Sequence, residues 1–100
     1  MANNLLGGYM KDLINIQNKI YKYKNNYVIY DYDVEKIFNI PIRYILNTNK
    51  KFFLNYIYKI NNNYILTEKA LVTLSLLLGP NYDDKCIKVL KVFEYIKKNS

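Results

Sequence analysis

The stretch DYDVEKIFNIPIRYILNTNKK, residues 31–51, has the spacing of two short amphipathic helices separated by a break. Its first half repeats apolar residues at i, i+3 and i+4, the spacing of one helical face, at Val34, Ile37 and Phe38. Asp31 or Asp33 can cap the start of this helix. Asn39 tolerates the left-handed conformation that ends helices, and Pro41 favours the first position of a new one. The stretch therefore predicts a helix-turn-helix.

The second helix of this pair is predicted to begin at Pro41 and to carry a polar, basic outer side. Its apolar side repeats the same spacing at Ile42, Ile45 and Leu46. The other positions face outward or follow the helix, and five of them are candidate nucleic-acid contacts: Arg43, Tyr44, Asn47, Lys50 and Lys51. Arg43 and Asn47 lie four residues apart on one face and are residue types that read guanine and adenine edges. Lys50 and Lys51 would contact phosphates.

Two predicted β-hairpins flank the helix pair. The first covers Lys19–Tyr30 and turns at Asn25-Asn26, because asparagine accepts the positive φ of a two-residue turn. Three of its residues could add contacts to a nucleic-acid backbone: Lys19, Lys22 and Lys24. The second hairpin pairs Asn55–Ile60 with Tyr64–Leu66 across three asparagines.

Three longer helices complete the predicted fold. An N-terminal helix over residues 3–13 has an apolar stripe, made of Leu5, Leu6, Tyr9, Met10 and Leu13. Another helix starts at a Thr67 cap, stops at Gly79-Pro80 and is apolar nearly all round, which predicts a central core helix. The last covers residues 81–98, and we expect the Phe52-Phe53 pair to close the core. The alternation of helices and hairpins predicts one small α+β domain spanning the chain.

One side of the last helix is wider than a single docking surface requires. It carries seven residues: Tyr82, Cys86, Val89, Leu90, Val92, Phe93 and Ile96. Two interpretations stay open. The N-terminal helix covers this side within the monomer, or Val89, Val92, Phe93 and Ile96 are left free for a partner protein or a second copy of the chain.

Composition narrows the classes of function. The 100 residues are 51% hydrophobic, which suffices for a core, and the net charge of +7 favours a polyanion as partner. The chain is also rich in Asn, Ile, Lys and Tyr, whose codons are rich in A and T, so a genome biased that way would enrich lysine in any protein. Because no run of about eighteen apolar residues and no secretory leader occur, we expect no membrane association. The chain is therefore predicted to be a soluble, intracellular protein.

The chain lacks the groups that most enzymes use, so we predict no enzyme activity. It has no histidine and no cluster with metal-ligand spacing, and we therefore expect no metal and no cofactor. Most carboxylates stand at predicted helix starts, and neither Ser75 nor Ser100 has a base nearby. Cys86, within an apolar helical pattern, is predicted to be a buried hydrophobic residue.

From Val28 onward the order of features resembles a viral regulatory domain found at the front of phage antirepressors and Rha-type proteins, related to KilA-N and Bro-N. The matching segments are VIYDYDVEKIFNI, RYILNTNKKFF, YILTEKALVTLSLLL and KVLKVFEYI. Ala70 stands where that family often has glycine. The resemblance implies a DNA-associated domain of a phage or large DNA virus that regulates genes or counters a repressor. The location that it implies is the cytoplasm of a bacterial host or infected cell, with the nucleus or a virus factory as alternatives.

Two classes of function therefore stay open. The first is a small viral or prophage transcriptional regulator, antirepressor-like, that binds duplex DNA through residues 31–51. The second is a phage-encoded inhibitor that binds a host or phage protein, such as a repressor or defence factor, and reads no DNA; the wide apolar side and the many tyrosines favour it. A homodimer fits either. A more distant third reading is a single-strand binder that stacks bases on Tyr21, Tyr23, Tyr56 and Tyr58.

Overall fold

The computed structural model describes residues 2–100, with side chains from residue 8 onward. Six α-helices are present in this part of the chain: α1 (Ala2–Gln17), α2 (Asp31–Phe38), α3 (Ile42–Thr48), α4 (Lys50–Phe53), α5 (Glu68–Leu78) and α6 (Asp83–Lys98). Four strands form one antiparallel sheet: β1 (Tyr21–Tyr23), β2 (Asn26–Tyr30), β3 (Ile57–Ile60) and β4 (Asn63–Thr67). The predicted α+β class is confirmed.

The helix pair forms where residues 31–51 predict it. Asn39 adopts the left-handed conformation, with φ 58°, and its N–H donates to the Glu35 carbonyl at 2.7 Å, which ends α2. Helix α3 begins one residue later than predicted, since Pro41 precedes it with φ −76° rather than forming its first residue. The apolar residues Ile42 and Leu46 of α3 are fully buried.

In the sheet order β1-β2-β4-β3, the strand before the helix pair, β2, is a neighbour of β4, which is the second strand after the helix pair. Ile29 of β2 pairs with Leu66 of β4, and both belong to the hydrophobic core. Val28 and Ile65, one residue along each strand, point to the opposite face and are also fully buried. Four tyrosines of strands β1, β2 and β3 stand on that second face: Tyr21, Tyr23, Tyr30 and Tyr58. We refer to it as the tyrosine face.

The first hairpin turns one residue earlier than predicted. Lys24 and Asn25 occupy the turn with φ 47° and 67°, and Tyr23 pairs with Asn26. Asn26 instead begins β2, where its side-chain amide donates to the Tyr58 hydroxyl at 3.1 Å. The shift by one residue has two effects: Lys24 adopts a positive φ, which is uncommon for lysine, and Asn26 becomes a strand residue that can contact Tyr58.

Helix α1 packs against α6, which decides between the two interpretations of the wide apolar side. Val89, Val92 and Phe93 are buried in the core and Ile96 is half-buried, so these four residues do not form a free interface, and that part of the prediction is corrected. The Lys88 ammonium pairs with the Asp12 carboxylate at 3.3 Å across the two helices. The side chains of Leu5 and Leu6, predicted in the α1 stripe, lie outside the described residues.

Helix α5 is not the central helix that its composition predicts. Thr67 caps it as expected, with its hydroxyl oxygen accepting from the Ala70 N–H at 3.3 Å. Leu71 and Leu74 are buried, but Val72 is exposed and Leu76 is 80% exposed. A helix that is apolar nearly all round need not be buried all round, because α5 docks only one of its sides.

Two further predictions concern single core residues. Phe53 is fully buried as expected, whereas its neighbour Phe52 is exposed on the other side of α4. Cys86 is buried in the core, and burial raises the pKa of its thiol. The thiol therefore stays protonated and unreactive in the folded state.

The carboxylate of Asp31 ties the sheet to the helix pair. It lies at the junction of β2 and α2, and its side chain is 1% exposed. One oxygen accepts from the Tyr32 N–H at 2.7 Å, and the other accepts from the Tyr64 N–H at 2.9 Å and from the Arg43 Nε at 3.2 Å. Because both oxygens are hydrogen-bonded and a guanidinium is adjacent, this charge can be buried.

Replacing Asp31 is expected to weaken the fold more than any exposed carboxylate would. Asp31→Ala leaves the buried Tyr64 N–H without an acceptor and Arg43 without its partner, so the free energy of unfolding should fall by about 3 kcal/mol. Urea unfolding measures this. The control Asp84→Ala removes an exposed carboxylate of α6 and should cost less than about 1 kcal/mol, mainly through the helix dipole. Equal losses in the two variants would contradict the role of Asp31.

Candidate nucleic-acid interface

Arg43 and Asn47 point from α3 toward the start of β4. The Nη2 of Arg43 donates to the Asn63 side-chain oxygen, and its Nε pairs with Asp31. The side-chain oxygen of Asn47 accepts from the Tyr64 hydroxyl at 2.6 Å. Because the Arg43 side chain is 46% exposed and Asn47 is also exposed, each residue divides its polar groups between a partner within the chain and solvent.

The solvent side of α3 and α4 carries the other three predicted contacts. Tyr44 is 67% exposed, and Lys50 and Lys51 are also exposed. Within the described residues neither lysine forms an ion pair. Arg43 and Asn47 bond to Asn63 and Tyr64, which directly follow the turn of the β3–β4 hairpin, so this turn and α3 lie at the same end of the sheet. We define the α3 surface as Tyr44, Lys50, Lys51 and the turn residues Asn61 and Asn62.

Charge is distributed unevenly along the chain. The segment 36–67, which forms α3, α4 and the β3–β4 hairpin, holds five basic residues and no acidic one: Lys36, Arg43, Lys50, Lys51 and Lys59. Within the described residues, Arg43 forms an ion pair with Asp31 and Lys36 lies near Asp33, so the charges of Lys50, Lys51 and Lys59 stay uncompensated. The remaining basic residues are interspersed with all eight carboxylates of the chain. The positive potential is therefore expected to be strongest around the α3 surface.

The three predicted hairpin lysines do not join the α3 surface. Lys24 sits in the β1–β2 turn, where its ammonium lies 5.5 Å and 5.6 Å from the ring centroids of Tyr23 and Tyr58. The Lys22 ammonium lies 5.7 Å from the Tyr27 ring. Lys19, just before β1, lies toward α2 at the other end of the strand. The register places the turn at the end of the sheet away from α3.

The rings of the tyrosine face mainly contact other tyrosine rings. Tyr30 stacks with Tyr21 at 5.5 Å between centroids and with Tyr32 at 4.7 Å, and Tyr23 meets Tyr58 edge to face. Burial raises the pKa of Tyr21, and the neighbouring Tyr30 adds to the rise. The side chain of Tyr56 packs against the core instead. Three of the four residues predicted to stack on bases, Tyr21, Tyr23 and Tyr58, therefore share a face, and their rings contact other tyrosines of the same protein.

Two concave regions have no counterpart in the sequence patterns. A cavity of about 550 Å³ lies where the β1–β2 turn, the start of β3, the N-terminus of α5 and the C-terminal part of α6 meet. A groove of about 290 Å³ runs along the contact between α1 and α6 and is lined by residues of both helices. Their walls come from segments far apart in the chain, and no short motif joins such segments. The acid-free segment, by contrast, is visible in the sequence itself.

No protein-family model matches the chain, and no curated protein or solved structure is significantly similar to it. Among the described residues there is no group of three side chains of the kinds that hold a metal ion. Of the helices in residues 2–100, none combines the length and apolar character needed to cross a lipid bilayer.

Asp33 is the second buried carboxylate, near the base of the helix pair. It is 8% exposed, and burial raises its pKa, although Lys19 and Lys36 nearby act to lower it. A carboxylate whose pKa is raised by folding binds its proton more tightly in the folded state. Its contribution to stability is therefore fully present below the unfolded pKa of about 4 and is lost as the pH rises through the folded pKa.

Asp33→Asn should consequently gain stability, relative to the native protein, between about pH 4 and pH 7. Urea unfolding of both proteins at the two pH values measures the difference in free energy of unfolding. The control Asp84→Asn, at an exposed carboxylate, should show no such gain. A relative loss for Asp33→Asn at higher pH would mean that the attraction of Lys19 and Lys36 outweighs burial.

Proposed function

We propose that this protein is a small DNA-binding regulator of viral or prophage type that contacts duplex DNA through the α3 surface. The observation that carries the proposal is the acid-free segment 36–67, which folds into α3, α4 and the adjacent hairpin. A positively charged surface binds phosphates and releases their counterions, and the carboxylates nearest to α3, those of Asp31 and Glu35, are engaged by Arg43. The resemblance to antirepressor domains, given by the order of segments in the sequence, points to the same class.

In this proposal α3 enters the major groove with its solvent side. Its seven residues span about 10 Å, and a major groove about 12 Å wide admits a helix. Tyr44 projects from the middle of that side and presents a hydroxyl to a base edge or phosphate. Lys50, Lys51 and Lys59 contact the backbone on either side.

Arg43 and Asn47 take a different role from the one their residue types suggest. Their bonds to Asp31, Asn63 and Tyr64 fix the angle between α3 and the β3–β4 hairpin. They position the helix and the hairpin turn for one DNA site. Specificity for a base sequence then depends on Tyr44 and the hairpin turn more than on Arg43.

A salt titration of binding to duplex DNA tests the proposal. If Lys50, Lys51 and Lys59 each neutralise one phosphate, the logarithm of the association constant should fall against the logarithm of salt concentration with a slope of about −3. Lys50→Ala combined with Lys51→Ala should reduce the slope to about −1 and weaken binding at low salt. Fluorescence anisotropy of a labelled duplex gives both quantities.

The matched control is Lys11→Ala combined with Lys98→Ala, which removes the same charge from exposed sites on α1 and α6, outside this segment. This variant should keep a slope close to that of the native protein. Absence of binding at low salt, or equal losses in the two double variants, would contradict DNA binding through the α3 surface.

A second candidate function is favoured by the groove between α1 and α6. Ile14 is 51% and Tyr95 is 56% exposed at its rim, and Met10 and Tyr9 are also exposed. A contiguous apolar surface of this kind marks protein interaction sites. Lys91 lies within the groove and the chain is strongly positive, which favours an acidic amphipathic helix of a partner over a second copy of the chain.

Ile14→Ser combined with Tyr95→Ser is expected to weaken such a partner by at least about tenfold, because both apolar side chains would be buried at the interface. Pull-down from nuclease-treated host extract, quantified for both proteins, measures the loss. Leu76→Ser, at an exposed leucine outside the groove, is the control and should retain the partner. Loss of the captured protein after nuclease treatment would mean that nucleic acid links it to the chain. Dimers in light scattering would mean that a second copy of the chain, and not another protein, occupies the groove.

A further inference from the structure

The cavity at the end of the sheet combines positive charge with aromatic rings. The ammonium of Lys69 lies 6.0 Å from the Tyr56 ring and that of Lys22 lies 5.7 Å from the Tyr27 ring, and all four residues line the cavity. Neither lysine has an acidic partner within the described residues. Each ammonium is held near a ring by an attraction that a stronger anionic ligand can replace.

The third lysine of the cavity is already neutralised. Lys97 pairs with Glu68 at 2.8 Å, and the hydrogen bond to Glu68 raises the pKa of Lys97. This pair closes one wall by joining α6 to the first turn of α5. Two positive charges therefore remain uncompensated, and the N-terminus of α5 adds its positive dipole.

The other lining groups suit a planar ring. Asn25 and Asn55 present side-chain amides, which can donate to and accept from the edge of a base. The Asn26 amide nitrogen donates to the Lys24 carbonyl and the Tyr58 hydroxyl, which leaves its side-chain oxygen as an acceptor. The faces of Tyr27 and Tyr56 offer stacking once the ammoniums turn toward a phosphate. A volume of about 550 Å³ lies within the range of sites that enclose small ligands.

We propose that this cavity binds a nucleoside monophosphate, with the phosphate between Lys22 and Lys69 and the base against Tyr27 or Tyr56. The site is independent of the α3 surface. Asn63, at the start of β4, bonds to α3, whereas Thr67, at its end, lines the cavity, about 13 Å further along the strand. A nucleotide here would therefore act as an effector and not as part of a DNA contact.

Isothermal titration of the whole chain with adenosine monophosphate, adenosine and inorganic phosphate tests the site. The nucleotide should bind at least about fivefold more tightly than inorganic phosphate, because only it gains base stacking, and more tightly than adenosine, which lacks the charge. Lys69→Met keeps the aliphatic stem against Tyr56 but removes the charge, and should weaken the nucleotide by about tenfold. Lys11→Ala, an exposed lysine of α1, should leave its affinity unchanged.

Amide NMR of the native protein gives a second readout that requires no variant. The side-chain amides of Asn25, Asn26 and Asn55 should shift on addition of the nucleotide, while those of Asn61 and Asn62 should not. Absence of binding at millimolar nucleotide, equal affinity for inorganic phosphate, or shifts confined to the α3 surface would each overturn the proposal.

Discussion

The buried carboxylate of Asp31 is the interaction on which the arrangement of this domain depends. It receives one hydrogen bond from its own helix start, one from β4 and one from α3, so a single side chain fixes three elements. A buried charge requires partners in defined positions, because each unmade hydrogen bond to it is costly. The angle between the helix pair and the sheet is therefore specified more tightly than apolar packing alone would specify it.

This constraint also explains why residue type misleads at Arg43. The sequence predicts correctly that α3 has a polar side, that Asn39 ends α2 and that Thr67 caps α5, because each is a local property of spacing or backbone conformation. Which neighbour lies against the polar side is not local. Arg43 and Asn47 face the start of β4 through partners that follow them by 20 and 17 residues, and helical periodicity contains no information about such partners.

The same distinction applies to burial. Apolar periodicity identifies Val89 and Phe93 as members of one helix side but does not say whether α1 or a partner covers that side. Leu76 shows the reverse case, since an apolar residue in an apolar helix is left in solvent. The charge distribution is more informative than the total, because a lysine-rich genome would add basic residues throughout but does not by itself clear carboxylates from the segment that forms α3 and its hairpin.

The buried thiol of Cys86 is an internal probe of the transient openings of this protein. It is the single cysteine of the sequence, it lies where α6 meets the core, and its raised pKa suppresses reaction in the closed state. A thiol reagent can then modify the protein only during openings that expose this site. The rate of modification reports how often α6 separates from the core, and it does so in the native chain without any introduced label.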